Sequence, residues 1–112
     1  MSSDERIVVT GLGAVSPLGV GVPMFWESLI EGKSGVRKTE DPVIAPVASV
    51  VANVPDFNPM DFLTRKMVKD TARFSHMALA AASEAVRDAD LAIAGGENWS
   101  PGTERERTGI FM

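Results

Sequence analysis

The 112-residue chain contains no cysteine, which excludes disulfides, cysteine-ligated zinc and a thiol nucleophile. It has one histidine, His76, and therefore no second imidazole with which to build a metal or catalytic pair; a surface or interface position is expected for it. Positive charge is in deficit. Eleven Lys and Arg against fifteen Asp and Glu leave a net charge of -4 and a pI near 4.9, whereas a nucleic-acid interface needs a cationic surface to displace phosphate counterions. No apolar run approaches transmembrane length, and Met1-Ser2-Ser3-Asp4-Glu5 is acidic where a signal peptide is basic and then apolar. The expectation is an intracellular protein, cytoplasmic or organellar, with no membrane or nucleic-acid partner. Asn98-Trp99-Ser100 is then a glycosylation acceptor in form only.

What is present is globular in character: 45% apolar and 23% charged residues, with no long low-complexity tract. At this length the chain is at most one domain and is shorter than a whole α/β enzyme usually needs. Ile7, Val8, Val9 and Thr10 form an unbroken β-branched run, the pattern of a short strand buried on both faces. Gly11 and Gly13 end it. Pro23 is a suitable first helical residue, Val22, Phe25, Trp26, Leu29 and Ile30 recur on one helical face, and Gly32 is the natural stop. A buried strand followed by such a helix predicts the start of a βαβ unit with parallel strands, hence an α/β fold.

Further along, Pro42, Pro46 and Pro55 bracket Val47 to Ala52, which reads as a short extended ribbon at an edge. Asn58-Pro59-Met60-Asp61 opens a short helix with Asn as cap. A long helix is predicted from about Thr71 to Asp90, with Ala78, Ala82, Ala85 and Ala89 as a flat face for close packing. Gly95-Gly96 and Ser100-Pro101-Gly102 mark a loop, Glu104 to Arg107 alternate in sign, and Thr108 to Met112 read as the start of a buried strand. A chain ending on an unpaired apolar strand is expected to be a fragment, or one half of a larger unit.

Candidate chemistry is sparse. Gly11-Leu12-Gly13-Ala14-Val15-Ser16 imitates a dinucleotide fingerprint, but Ser16-Pro17-Leu18-Gly19 inserts another turn, so no helix N-terminus follows the glycines at once. Gly32-Lys33-Ser34 imitates the end of a P-loop, yet Glu27 stands where the first glycine belongs and the segment follows a helix. Ser16 lacks the nucleophile elbow, with Ala14 before it and Pro17 after it, and reads as a turn residue. Asp88 and Asp90 diverge on a helix and are expected to face water. The distinctive polar feature is cationic: Arg65, Lys66, Lys69 and Arg73 place four of eleven cations within nine residues, with Asp70 the one acid among them. If the stretch is one helix, Arg65, Lys69 and Arg73 share a face at i, i+4, i+8; the alternatives are a solvated helix face and a docking site for an anionic partner.

Taken in order, RIVVTGLGAVSPLG, GVGVPMFWESLIEGKSGV, VPDFNPMDFLTRK and RFSHMALAAASEAVRDADL resemble the N-terminal quarter of an elongating β-ketoacyl-acyl carrier protein synthase, from Arg6 to Met112. The resemblance implies a thiolase-like α/β fold of two similar halves, each with a mostly parallel five-stranded sheet, dimerising through the sheets. It implies an acyltransferase of fatty acid biosynthesis that performs decarboxylative Claisen condensation with a cysteine nucleophile, two histidines and a supporting lysine, and without metal or organic cofactor. All of those catalytic groups come later in the family's chains, so no catalytic, cofactor or metal residue maps onto this sequence. In similar synthases the basic residues matching Lys66 and Lys69 contact the acidic carrier protein; Asp70 stands here at a position often basic, and Ala72 at one usually acidic. Residues 1–112 are thus expected to be a partial N-terminal synthase domain, truncated before the nucleophile and inactive alone. Its expected partners are acyl carrier protein, through Lys66, Lys69, Arg65 and Arg73, and a second copy in the full-length homodimer. The alternatives are a non-catalytic carrier-protein-binding or synthase-pairing module, and a small nucleotide-binding α/β domain.

Overall fold

The computed structural model describes residues 4–91 and 108–111. The glycine-rich loop read at 95–102, the Asn98 acceptor and the alternating charges at 104–107 lie outside the described residues. In chain order the elements are β1 (Val15–Ser16), β2 (Gly19–Val20), α1 (Val22–Ile30), β3 (Arg37–Lys38), β4 (Val50–Val51), a 3-10 turn at Pro59–Asp61, α2 (Arg65–Asp70) and α3 (Arg73–Asp88).

The Ser-Pro-Leu-Gly turn is the tip of a hairpin. β1 and β2 pair antiparallel with Ser16 opposite Gly19, and the Ser16 hydroxyl accepts from the Leu18 N–H at 3.2 Å. That confirms Ser16 as a turn residue and moves the start of α1 to Val22. α1 ends in a Schellman motif: Lys33 N–H donates to the Ser28 carbonyl at 3.0 Å and Gly32 N–H to that of Leu29 at 3.1 Å, with Gly32 at φ 70°. α3 ends the same way, Leu91 N–H bonding Val86 O and Asp90 N–H bonding Arg87 O, each at 3.0 Å, but with Asp90 in the left-handed position at φ 56°. The ribbon expected near Val47–Ala52 is present as β4, paired antiparallel with β3. Val43 to Val47 instead form turns, nucleated by the Asp41 carboxylate accepting from Val43 N–H at 2.8 Å.

Three expectations are corrected. Ile7 to Thr10 form no strand and no buried layer: Ile7 is 90% exposed and Val9 80%. Thr108 to Phe111 likewise lie outside any ladder, with Phe111 96% exposed. A strand is stable only against a partner, and among the described residues both two-stranded sheets are antiparallel and neither segment has a neighbour in them. The apolar stripe of α1 is not a core face either, because only the short hairpin backs that helix; Phe25 is half-buried, Trp26, Leu29 and Ile30 are exposed, and the buried residue is Ser28. The long helix expected from about Thr71 to Asp90 is present as α3. Thr71 and Ala72 are extended, so α2 and α3 are separate helices and Arg73 begins the second.

The packed centre lies where the 3-10 turn, α2 and α3 meet, and among the described residues Phe57, Leu63 and Ala80 are the buried apolar ones. Asn58 caps the 3-10 turn, its Oδ1 accepting from Met60 N–H at 3.1 Å, and Thr64 caps α2 through Met67 N–H at 3.3 Å. Arg73 ties this centre together. Its guanidinium donates to the Val54 carbonyl at 2.9 Å and to that of Phe57 at 3.4 Å, and lies 5.4 Å from the centroid of the Phe57 ring, which stacks on Phe62. A closed domain of this length has a radius of gyration of about 13 Å. Here it is 17.6 Å, so the chain forms an open unit with much apolar surface uncovered.

Two substitutions separate the roles of its glycines and one tests the guanidinium. A Cβ on Gly13 falls 1.8 Å from the Ala81 carbonyl oxygen, so Gly13→Ala is expected to cost on the order of 3 kcal/mol in chemical denaturation. Gly32 has nothing within 4 Å of such a Cβ, so Gly32→Ala costs only the left-handed strain, about 1 kcal/mol. Arg73→Ala removes both carbonyl bonds and the ring contact while leaving α2 intact, lowering stability by about 1–2 kcal/mol; an unchanged denaturation midpoint would contradict the role given to Arg73.

Candidate functional site

Residues 11–14 lie against α3 where the sequence pattern suggested a phosphate loop. Leu12 and Ala14, two residues apart in an extended chain, present N–H groups about 7 Å apart. Glu84 and Asp88, four apart on a helix, present carboxylates about 6 Å apart. The two spacings match. Leu12 N–H donates to Asp88 Oδ2 at 2.9 Å and Ala14 N–H to Glu84 Oε2 at 2.9 Å. The pairing 12 with 88 and 14 with 84 runs the segment antiparallel to the helix.

The alternate residues, Gly11 and Gly13, allow this approach. A Cβ on Gly11 meets Ala85 O at 2.2 Å and one on Gly13 meets Ala81 O at 1.8 Å, so only glycine lets the backbone lie this close. The small face of α3 is therefore Ala81, Ala85 and Ala89, not the predicted Ala78, Ala82, Ala85 and Ala89, of which Ala78 and Ala82 are exposed. Glu84 reaches a third element. Its Oε1 accepts from Val22 N–H at 2.8 Å, the first amide of α1, whose N-cap Gly21 has no side chain to do so.

These bonds decide against the nucleotide reading. The amides of Leu12, Ala14 and Val22, which a phosphate would need, already serve carboxylates, and a negative lining repels a further anion. At the P-loop imitation Gly32 is a helix exit, and the Lys33 ammonium lies 2.6 Å from Glu31, whose hydrogen bond and charge raise it above the usual lysine range. Asp88 is exposed, as expected, and in addition accepts from Leu12 N–H.

His76 is corrected as well. It is buried, on the same side of α3 as Ala80, and its Nε2 has no hydrogen-bond partner among the described residues. Among the described residues no group of His, Asp and Glu is arranged to hold a metal ion, and no helix is long and apolar enough to cross a membrane.

The cationic segment is divided by the break at Thr71–Ala72. Arg65, Lys66 and Lys69 lie exposed on α2 with Asp70, and among the described residues none of the three cations forms an ion pair. Arg73 is on α3 and committed to Val54 and Phe57, so the structure does not bring it onto one helical face with Arg65 and Lys69. The sequence reading missed both Glu84 and this use of Arg73. A signal for Glu84 was available: Glu84 and Asp88 flank the Ala81, Ala85, Ala89 row at its own spacing of four.

Comparison with known proteins agrees with the ordered motifs. The chain matches the family described as β-ketoacyl synthase, N-terminal domain, over residues 4–112. It is 39% identical over 90 residues to 3-oxoacyl-[acyl-carrier-protein] synthase 2 of Synechocystis, covering 80% of this chain and 22% of that one. It is 37% identical over 94 residues to 3-oxoacyl-[acyl-carrier-protein] synthase 2 of Staphylococcus aureus, covering 83% and 23%. Among solved structures, the ishigamide ketosynthase/chain length factor superposes with a TM-score of 0.66 at 35% identity, over 76% of this chain and 21% of that one. The chain thus spans about a fifth of the length of these relatives. With the whole run from the β-branched segment to Phe111 inside the match to the family's N-terminal domain, the chain belongs to the β-ketoacyl synthase family.

Proposed function

We propose that the chain is the N-terminal part of a 3-oxoacyl-[acyl-carrier-protein] synthase, an acyltransferase that condenses an acyl thioester with malonyl-acyl carrier protein in fatty acid biosynthesis. The observation that carries this reading is the family match across residues 4–112, joined to relatives that bear that name. The segment's part is scaffold and recognition. It has no cysteine to take an acyl group, and its one histidine is buried in the packed centre.

The open shape supports placing it inside a larger thiolase-like half. Ile7 to Val9 and the outer face of α1 are apolar and uncovered, as expected of elements that join a mostly parallel sheet and its helical layer. A homodimer in the full-length protein is the companion proposal; a structural neighbour named as a ketosynthase/chain length factor supports pairing of two subunits.

α2 is the carrier-protein docking element of this reading. Arg65, Lys66 and Lys69 project from a six-residue helix fixed at its start by Thr64, with no ion pair among the described residues neutralising them, on a chain whose overall charge is -4. A local cationic surface on an acidic protein steers an acidic partner to one face. Arg73 sets the base of that surface by anchoring the Val54–Phe57 loop and does not itself belong to the contact.

Two measurements test the proposal. Grafting this chain in place of the matching segment of the Synechocystis synthase should give an active condensing enzyme, whereas the 112 residues alone should turn over no malonyl-carrier protein. A graft that folds and dimerises without activity, or turnover by the isolated chain, would overturn it. Lys66→Glu with Lys69→Glu in the grafted enzyme should weaken carrier-protein binding about tenfold at low ionic strength and much less at high salt, because exposed charges are screened; salt-insensitive binding equal to the parent's would remove α2 from the interface.

A further inference from the structure

We propose that Glu84 is a charge-dependent latch, whose ionised carboxylate alone can hold residues 12–22 on α3 and whose neutralisation opens that segment locally while α3 persists. The argument begins with the count of donors. Ala14 N–H and Val22 N–H, eight residues apart, approach opposite oxygens of one carboxylate at 2.9 and 2.8 Å. An ionised carboxylate has two accepting oxygens and no proton. A neutral acid or an amide turns one of them into a donor, which then faces an N–H donor. One of the two amides must lose its partner, and a part-buried N–H without an acceptor is costly.

No charged group in the adjoining clefts substitutes for the lost acceptor. α1 has Gly21 as N-cap, no side-chain cap and no acidic residue in its first turn. The charged groups that share the clefts around Glu84 are Arg87 and Asp88; Asp88 already accepts from Leu12 N–H, and a guanidinium accepts nothing. Gly11 and Gly13 bring no side chain of their own to the contact, so the segment is retained on α3 mainly by these amide bonds and the close backbone approach. α3, by contrast, is sixteen residues long, closed by its own Schellman motif and anchored by Arg73 at the far end. The weak unit is therefore the loop and the first turn of α1.

Amide hydrogen exchange read residue by residue on the full chain tests this. In the wild type, Ala14 and Val22 should share one opening event, with protection factors within about threefold of each other. Glu84→Gln, which keeps shape and removes charge, should reduce protection at Ala14 and Val22 by about tenfold or more while Ala80 and Ala81 within α3 keep theirs. Asp88→Asn should affect Leu12 and leave Val22 unchanged. Equal loss at every amide in Glu84→Gln would show ordinary global destabilisation, and undiminished protection would show that charge is not required; either sinks the latch. Should Glu84→Gln fail to fold, unequal protection of Ala14 and Val22 in the wild type would by itself overturn it.

Discussion

The structure depends on two carboxylates on one helix accepting hydrogen bonds from backbone amides remote in sequence. Glu84 and Asp88 satisfy Leu12, Ala14 and Val22, groups that a strand partner or a local cap would ordinarily satisfy. The glycines, the alanine row and the hairpin are consequences of that arrangement. Without Gly11 and Gly13 the backbone could not come within reach, without Ala81 and Ala85 the helix would not be flat enough, and without the Ser16–Gly19 turn the chain could not return to offer Val22 to the same side chain. A glycine pattern that elsewhere exposes amides to phosphate here presents them to the protein's own negative charge.

The second tie has the opposite sign. Arg73, at the other end of α3, donates to Val54 and Phe57 and so holds the loop that precedes the 3-10 turn. α3 is thus the beam of the unit, negative toward its C-terminal end where it grips the glycine segment and positive at its N-terminus where it grips the loop before α2. α2 hangs between Thr64 and Thr71 and shows Arg65, Lys66 and Lys69 outward.

Local features were legible because local physics decides them. The Asn58 cap, the Gly32 exit, the turn at Ser16 and the start of α1 follow from backbone chemistry within a few residues, and all are present. The family was legible for a different reason, the order of several short motifs along the whole chain. What the residues did not reveal were long-range bonds. The row Ala81, Ala85 and Ala89 beside Glu84 and Asp88 marks a place of close approach, but nothing within ten residues says which segment, more than sixty positions away, comes to it. The boundary at Thr71–Ala72, close to the expected start of the long helix, separates Arg73 from the cations of α2. Ile7 to Thr10 misled in the other direction: β-branched composition states a preference for sheet, but a ladder also needs a neighbouring strand.

That uncovered run carries a cost of another kind. Ile7, Val8, Val9 and Thr10 combine strong β propensity with no charge and no proline, the makeup of segments that pair edge to edge between copies of a chain. Asp4, Glu5 and Arg6 stand immediately before it and Gly11 immediately after, charge on one flank and a weak strand former on the other. Such flanking residues act as gatekeepers against self-association. The same four residues that signal the family so clearly are therefore the ones that most need a covering partner, and the rate at which they find it competes with aggregation during folding.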